Sequence, residues 1–231
     1  MKPERVFVVQ TCADLEDISR TVKPFQGREN QRYLVVYVGN AEPQDGVELL
    51  MQSAQYLVKQ KHREDIRFVI IGSGTEIPRL RTLASQMNLD AAVRFTGRIP
   101  HDEVGQYLSA ADVCVAPDPL NSLNDQSSMI KIFEYMAHAK PIVLYDLKEG
   151  RRSAGNSALY ARPNDPADFG EQILKLLDSE SLRRELGKLG RKRVEEELNW
   201  EVQSKKLLEA YKAVLGDGRE EQRKAMAATS G

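Results

Sequence analysis

Two stretches, "YLVVYVG" (33–39) and "RFVIIG" (67–72), are apolar almost without interruption instead of on alternate residues. A strand that alternates can leave one face in water. A strand apolar on both faces has to be covered twice, and a parallel sheet with helices on each side does that. The same character recurs along the chain, so strands are predicted at 6–9, 33–38, 68–71, 93–95, 113–116, 142–145 and 158–160. Helical periodicity lies between most of them, at 47–59, 78–87, 102–110 and 127–138. Strand–helix alternation with short loops predicts right-handed βαβ units and an α/β, doubly wound, mostly parallel sheet of the Rossmann type.

After Tyr160 the pattern turns helical. "RPNDPADFGEQILKLL" starts a helix at Asp165 or Pro166, since proline suits the first helical position. "SESLRRELGKLGRKRVEEEL" and "NWEVQSKKLLEAYKAVL" come next, the last capped by Asn199. A helical C-terminal section therefore packs over the sheet. The domain is expected to span 33–215, preceded by a linker-like strand and excursion over 1–32. A Gly-, Ala- and charge-rich tail over 216–231 is expected to be disordered. No internal repeat is visible.

Balanced charge, a formal net of -1 over 231 residues, gives no electrostatic case for nucleic acid or an anionic membrane surface. No apolar run approaches the roughly 20 residues that span a bilayer. Cys12 and Cys114 are far apart, and Cys114 sits in the apolar "VCVA". A reduced, cytoplasmic setting is the expectation.

Ligands of an open parallel sheet bind beyond the carboxyl ends of its strands. Here those ends carry "GNAEPQDG" (39–46), "GSGTEIP" (72–78), "TGRIPHDE" (96–103), "APDPLNSLNDQSS" (116–128) and "DLKEGRRSAGN" (146–156). Any one of them reads equally as an ordinary turn; five together read as a binding rim. "GSG" is a weak dinucleotide signal, because Ile77 stands where a third glycine belongs. The histidines are isolated, the cysteines lack metal-ligand spacing, and there is neither a G-x-S-x-G elbow nor a P-loop. No metal and no cofactor are expected.

The helix in "NDQSSMIKIFEYMAHAKPIV" (124–143) is apolar on most sides, with Ser127, Lys131, Glu134 and His138 in one polar line. Its start is placed at Asn124 and Asp125, so that the amides around residues 127–129 lack helical partners. Such a terminus suits a phosphate. Glu134, two turns further on, suits the hydroxyls of a ribose. The competing reading is a Lys131–Glu134 surface pair.

These segments, taken in order, resemble the C-terminal, donor-binding domain of GT-B glycosyltransferases of the family 4 type. The blocks are "YVGNAEPQDGVELL", "FVIIGSGTEIPRL", "VRFTGRIPHDEVGQYLSAADVCVAPD", "KIFEYMAHAKPIV" and the "NW" before the last helix. "NDQSSMIKIFEYMA" with "DLKEGRRSAGNSALYARPND" is similar to a bacterial subset concerned with polysaccharide assembly. The resemblance implies a nucleotide-sugar donor, UDP- or GDP-linked, and transfer of its sugar to an acceptor hydroxyl by a retaining, metal-independent enzyme. Glu134 matches the second Glu of the family's E-x7-E motif, which holds the donor ribose. Ser128 and Met129 would offer amides to the diphosphate, Gly39 and Gly72 lie in the matching strand-end turns, and Arg98 and Ile99 match the loop bordering the base.

The departures are specific. Gln126 replaces the first Glu of the motif, and Asn40 and Asp45 replace the usual diphosphate-binding Arg and Lys. Lys131 is the nearest substitute cation, with Arg151 and Arg152 next. Ala139 stands where relatives mostly have Gly at the helix end, and Cys12 where they have Gly in the linker; both are read as structural. Met1 falls at what would be the linker between the two GT-B domains. The acceptor-binding N-terminal domain, with its catalytic base, is thus expected to be missing or on a separate chain, and this chain to bind without transferring. Any peripheral membrane association would run through that half alone. Two other readings stand beside this one: a stand-alone nucleotide-sugar-binding subunit or sensor, and a degenerate domain that has lost its ligand.

Overall fold

The computed structural model of the protein describes residues 6–12, 15 and 32–215. Six strands form one sheet: β1 (Tyr33–Val38), β2 (Ile66–Ile71), β3 (Val93–Gly97), β4 (Val113–Ala116), β5 (Ile142–Tyr145) and β6 (Ala158–Ala161). Their order is β3-β2-β1-β4-β5-β6 and every pairing is parallel. The chain works outward from β1 through β3, then returns to place β4 on the other side of β1. The sheet therefore changes direction between β1 and β4, which is where a crevice opens in doubly wound folds.

Eight α-helices lie within the described residues: α1 (Val47–Gln55), α2 (Ile77–Gln86), α3 (His101–Ala110), α4 (Ile130–Ala137), α5 (Lys148–Ala154), α6 (Pro166–Leu177), α7 (Glu180–Glu196) and α8 (Trp200–Leu215). α1 continues as a π-helical turn over Tyr56–Gln60. Successive strand side chains point to opposite faces, and the core divides accordingly. Val35, Tyr37, Val113, Val115, Val143 and Tyr145 pack with α1, α2 and α6. Leu34, Val36, Cys114, Ala116, Ile142 and Leu144 pack with α3 and α4. Both faces are sealed, as the unbroken apolar runs require.

The start of α6 is fixed as expected: Asp165 accepts from the amides of Ala167 and Asp168, with Pro166 first in the helix. Asn199 caps α8 by accepting from Val202 N–H at 3.0 Å.

Three expectations are corrected. Residues 6–9 form no strand: Val6 and Val8 are about half exposed, and the chain just beyond them is tied by Gln10 N–H donating to Gln203 Oε1 at 2.9 Å. An apolar run without a neighbouring ladder stays irregular. The "DLKEGRRSAGN" segment, read as a loop, contains α5. α4 begins at Ile130, not at 127, because Asn124 and Asp125 serve the loop before it. Asn124 Nδ2 donates to the carbonyls of Gln44 and Pro119, each at 2.9 Å, and Asp125 Oδ1 accepts from Lys148 N–H at the start of α5. The expected tail over 216–231 and most of the excursion over 11–32 lie outside the described residues.

Candidate functional site

The carboxyl ends of β1, β2 and β3 face the start of α4 across the switch point and enclose a cleft of about 490 Å³. Its floor is two strand-end turns pressed together. Gly39 N–H donates to Ile71 O and Gly72 N–H to Gly97 O, both at 3.0 Å. Gly72 has φ +133°, and a Cβ there would stand 1.9 Å from Gly39 O. Only glycine combines that backbone with that approach. Beside it, the Tyr37 hydroxyl donates to Asn40 O and fixes the β1 turn.

α4 makes the opposite wall. Met129 is extended and caps the helix without a side-chain bond. Among the described residues, the amides of Ser128, Met129, Ile130 and Lys131 have no hydrogen-bond partner. All four residues line the cleft, a short run of free donors at the positive end of a helix. The Ser128 hydroxyl is already used, donating to Glu149 Oε1 at 2.8 Å.

In that same first turn of α4, the Lys131 side chain is engaged from several directions. Its Nζ lies 2.8 Å from Asp118 Oδ1, 3.5 Å from Tyr37 Oη, 4.0 Å from Asp45 Oδ1 and 4.9 Å from the Tyr37 ring centroid. Its side chain is 10% exposed and that of Asp118 is 4%. Burial pushes the Asp118 carboxyl up, while the Lys131 charge and hydrogen bond oppose that rise. Burial and the nearby Asp118 and Asp45 carboxylates raise the Tyr37 hydroxyl far beyond titration.

A turn deeper, Glu134 lines the cleft half-buried. Desolvation raises its carboxyl, with His101 pulling the other way. A carboxylate poor in water gains most from a ligand that offers hydroxyl donors. His138 ends the line. Burial, then the charges of Lys140, Arg191 and His101, push it down to about 4, so it is neutral near pH 7.

Nine residues singled out in the sequence line this one cleft: Gly39, Asn40, Gly72, Arg98, Ile99, Ser128, Met129, Lys131 and Glu134. Two do not. Gln126 is exposed in the loop before α4, its amide donating to Ser122 O at 3.4 Å. Arg151 is turned away by Asp146, which it pairs with, and by the Tyr160 ring, whose centroid is 4.2 Å from its guanidinium. Asp118 was not anticipated. The available signal was an acid directly beyond a buried strand end, but its meaning depends on β4 lying next to β1. Among the described residues, two cations, Lys131 and Arg98, and two acids, Asp45 and Glu134, line the cleft, and a third acid, Asp118, lies buried against Lys131. Among the same residues no group of three or more His, Cys, Asp or Glu is placed to hold a metal ion.

The family model described as glycosyl transferases group 1 matches residues 32–179, which contain the whole sheet and every residue of the cleft. The chain belongs to this family. It is 29% identical over 195 residues to the D-inositol 3-phosphate glycosyltransferase of Thermomonospora curvata, a match covering 80% of this chain and 44% of the relative. The chain thus spans about half the length of the curated relatives it matches. Its fold is similar to the C-terminal domain of LpcC, a group 1 glycosyl transferase of Francisella tularensis. The TM-score is 0.65 at 16% identity, over 81% of this chain and 99% of that domain. It is also similar to Anabaena HepE, solved in complex with UDP, with a TM-score of 0.67 at 15% identity over 87% of this chain and 54% of that one. The glycosyltransferase resemblance and the GT-B, Rossmann-like fold read from the sequence both hold. Among the described residues, no helix is long and apolar enough to cross a membrane.

Proposed function

We propose that the cleft binds the nucleoside-diphosphate part of a sugar donor, and that the chain serves as the donor-binding half of a glycosyltransferase acting on an acceptor hydroxyl. The observation that carries this reading is the order of groups along α4: unpartnered amides at its start, the Lys131 side chain in that same first turn, and Glu134 about one turn further on, all on one 490 Å³ cleft. That order matches a diphosphate joined to a ribose. A helix terminus alone supplies roughly 0.3–2 kcal/mol toward an anion, whereas micromolar affinity requires about 8 kcal/mol. Hydrogen bonds to a charged group such as Glu134 add roughly 1.5–3 kcal/mol each. Arg98 and Ile99, on the β2–β3 side, are suited to border the base.

Membership of the glycosyl transferases group 1 and the likeness to a UDP-bound HepE support the donor class. The acceptor domain, in this reading, comes from elsewhere in the full protein or from a partner chain. Transfer proceeds without a metal ion, the diphosphate being held by amides and Lys131.

A second reading, a degenerate domain that binds no donor, has one observation in its favour: Lys131 is already committed to the buried Asp118. Calorimetric titration of the 231-residue chain with UDP, GDP and their sugar conjugates decides between them. Binding of one nucleotide series, lost in Glu134→Ala, is expected; absence of binding by every one of them at millimolar concentration favours the degenerate domain.

A further inference from the structure

A donor in the cleft would meet an unfavourable balance of charge. Among the described residues, Lys131 is the one cation on α4's cleft face, and its ammonium sits between two carboxylates: Asp118 at 2.8 Å and Asp45 at 4.0 Å. Tyr37, on the third side, presents a neutral hydroxyl at 3.5 Å. A sugar-nucleotide diphosphate brings two further negative charges to the same ammonium. One lysine cannot neutralise two carboxylates and a diphosphate, and repulsion between like charges is strong where water is excluded. Arg98 does not relieve it, being an exposed side chain at the β3 end of the cleft that donates to Ser73 Oγ at 3.4 Å.

Resting on the donor-binding reading, we propose that Asp118 is a positioning residue that holds Lys131 against Tyr37 and gives it up to the donor's diphosphate, a proton taking the lysine's place on the carboxyl. The exchange balances: the Lys131 ammonium leaves the Asp118 carboxylate for a phosphate oxygen, and one proton from solvent converts that carboxylate to the acid. The groups facing Asp118 favour this direction. Lys131 is the cation that holds it in the charged form, helped by one weaker backbone hydrogen bond; burial disfavours that form most, and Asp45 adds to it. Tyr37 stays neutral and supplies no proton. Once Lys131 moves, what remains around Asp118 favours the protonated acid.

Asp118 thereby sets a pH dependence for donor binding that a merely structural ion pair would not produce. Binding that takes up one proton weakens by up to about tenfold for each pH unit gained. The pH window is bounded below by the titration of the paired carboxyl and above by that of the unpaired one.

The test is titration calorimetry of the full chain with UDP-glucose and GDP-mannose, whose diphosphates carry no titrating proton near neutrality. Each is run at about pH 6 and pH 7 in buffers of different ionisation enthalpy, so that proton uptake is counted directly. A clear fraction of a proton, up to one per donor bound, is expected, vanishing in Asp118→Asn together with the pH dependence of affinity. Three results overturn the exchange. Donor binding with no proton uptake means that Lys131 bridges Asp118 and the phosphate. Uptake that persists in Asp118→Asn locates the proton elsewhere. Binding that needs added Mg²⁺ and vanishes in EDTA means that a metal ion balances the charge. Failure of both donors to bind at all overturns the donor reading itself, and the exchange falls with it.

Discussion

Removing Lys131 alone should damage the fold more than removing the pair. Its side chain and that of Asp118 are 10% and 4% exposed and meet at 2.8 Å. In Lys131→Met the carboxylate is left buried, with Asp45 as a like-charged neighbour, and breaking one side of such a pair costs roughly 3–5 kcal/mol. Asp118 can escape part of that cost by protonating. Burial, the largest remaining influence, and Asp45 raise its folded pKa above the unfolded value against one smaller backbone hydrogen bond, so the folded variant binds more protons than the unfolded one. Its stability is therefore greatest at low pH and is lost as pH rises through the folded pKa. The double variant Lys131→Met/Asp118→Leu removes both charges and should unfold within about 1 kcal/mol of the parent. Urea denaturation of the parent, Lys131→Met, Asp118→Leu and the double variant at about pH 5 and pH 7.5, read by circular dichroism, gives all four corners of the cycle. A deficit of about 3–5 kcal/mol for Lys131→Met at the higher pH, shrinking at the lower and nearly cancelled in the double variant, is expected. Additive effects with no pH dependence would refute the claim that the two groups form one buried unit.

Three further outcomes are expected. Gly72→Ala, whose Cβ would stand 1.9 Å from Gly39 O at φ +133°, should destabilise by at least about 2–3 kcal/mol and weaken nucleotide binding, both measurable by urea titration and calorimetry. Ala139, beyond the end of α4, holds φ +54°, so Ala139→Gly should raise stability by about 0.5–1 kcal/mol in the same assay. His138, pushed down to about 4 from 6.5, binds its proton more readily when unfolded; stability should fall as pH drops below about 6.5, by roughly 1–3 kcal/mol at pH 4 allowing for its partial exposure, and His138→Gln should flatten that part of the curve.

The sheet was legible because β1 and β2 carry apolar residues on both faces, a demand that only a doubly covered strand meets. The same criterion failed at residues 6–9, where no ladder receives the run. Hydrophobicity reports what must be buried, not whether a neighbour exists. Helix capping chemistry misled in a similar way. Asn124 and Asp125 look like the start of α4, but their side chains reach Gln44, Pro119 and Lys148, contacts that close the loop.

The cleft was legible where position along a strand or helix decides it, as for Gly39, Gly72, Lys131 and Glu134. It was not legible where side-chain direction decides. Arg151 comes soon enough after β5 to be a candidate cation, yet stacking on Tyr160 carries it off. Asp118 was hidden for a further reason. Its partner is 13 residues away on another element, and the two meet because β4 crosses to the far side of β1.

The most direct test of the donor cleft is nuclear magnetic resonance of the ¹⁵N-labelled chain titrated with UDP and GDP. The amides of Ser128, Met129, Ile130 and Lys131 should shift most, Gly39, Gly72 and Ile99 next, and the rest of the sheet should stay in place. Shifts centred elsewhere, or none with either nucleotide at millimolar concentration, would contradict the account.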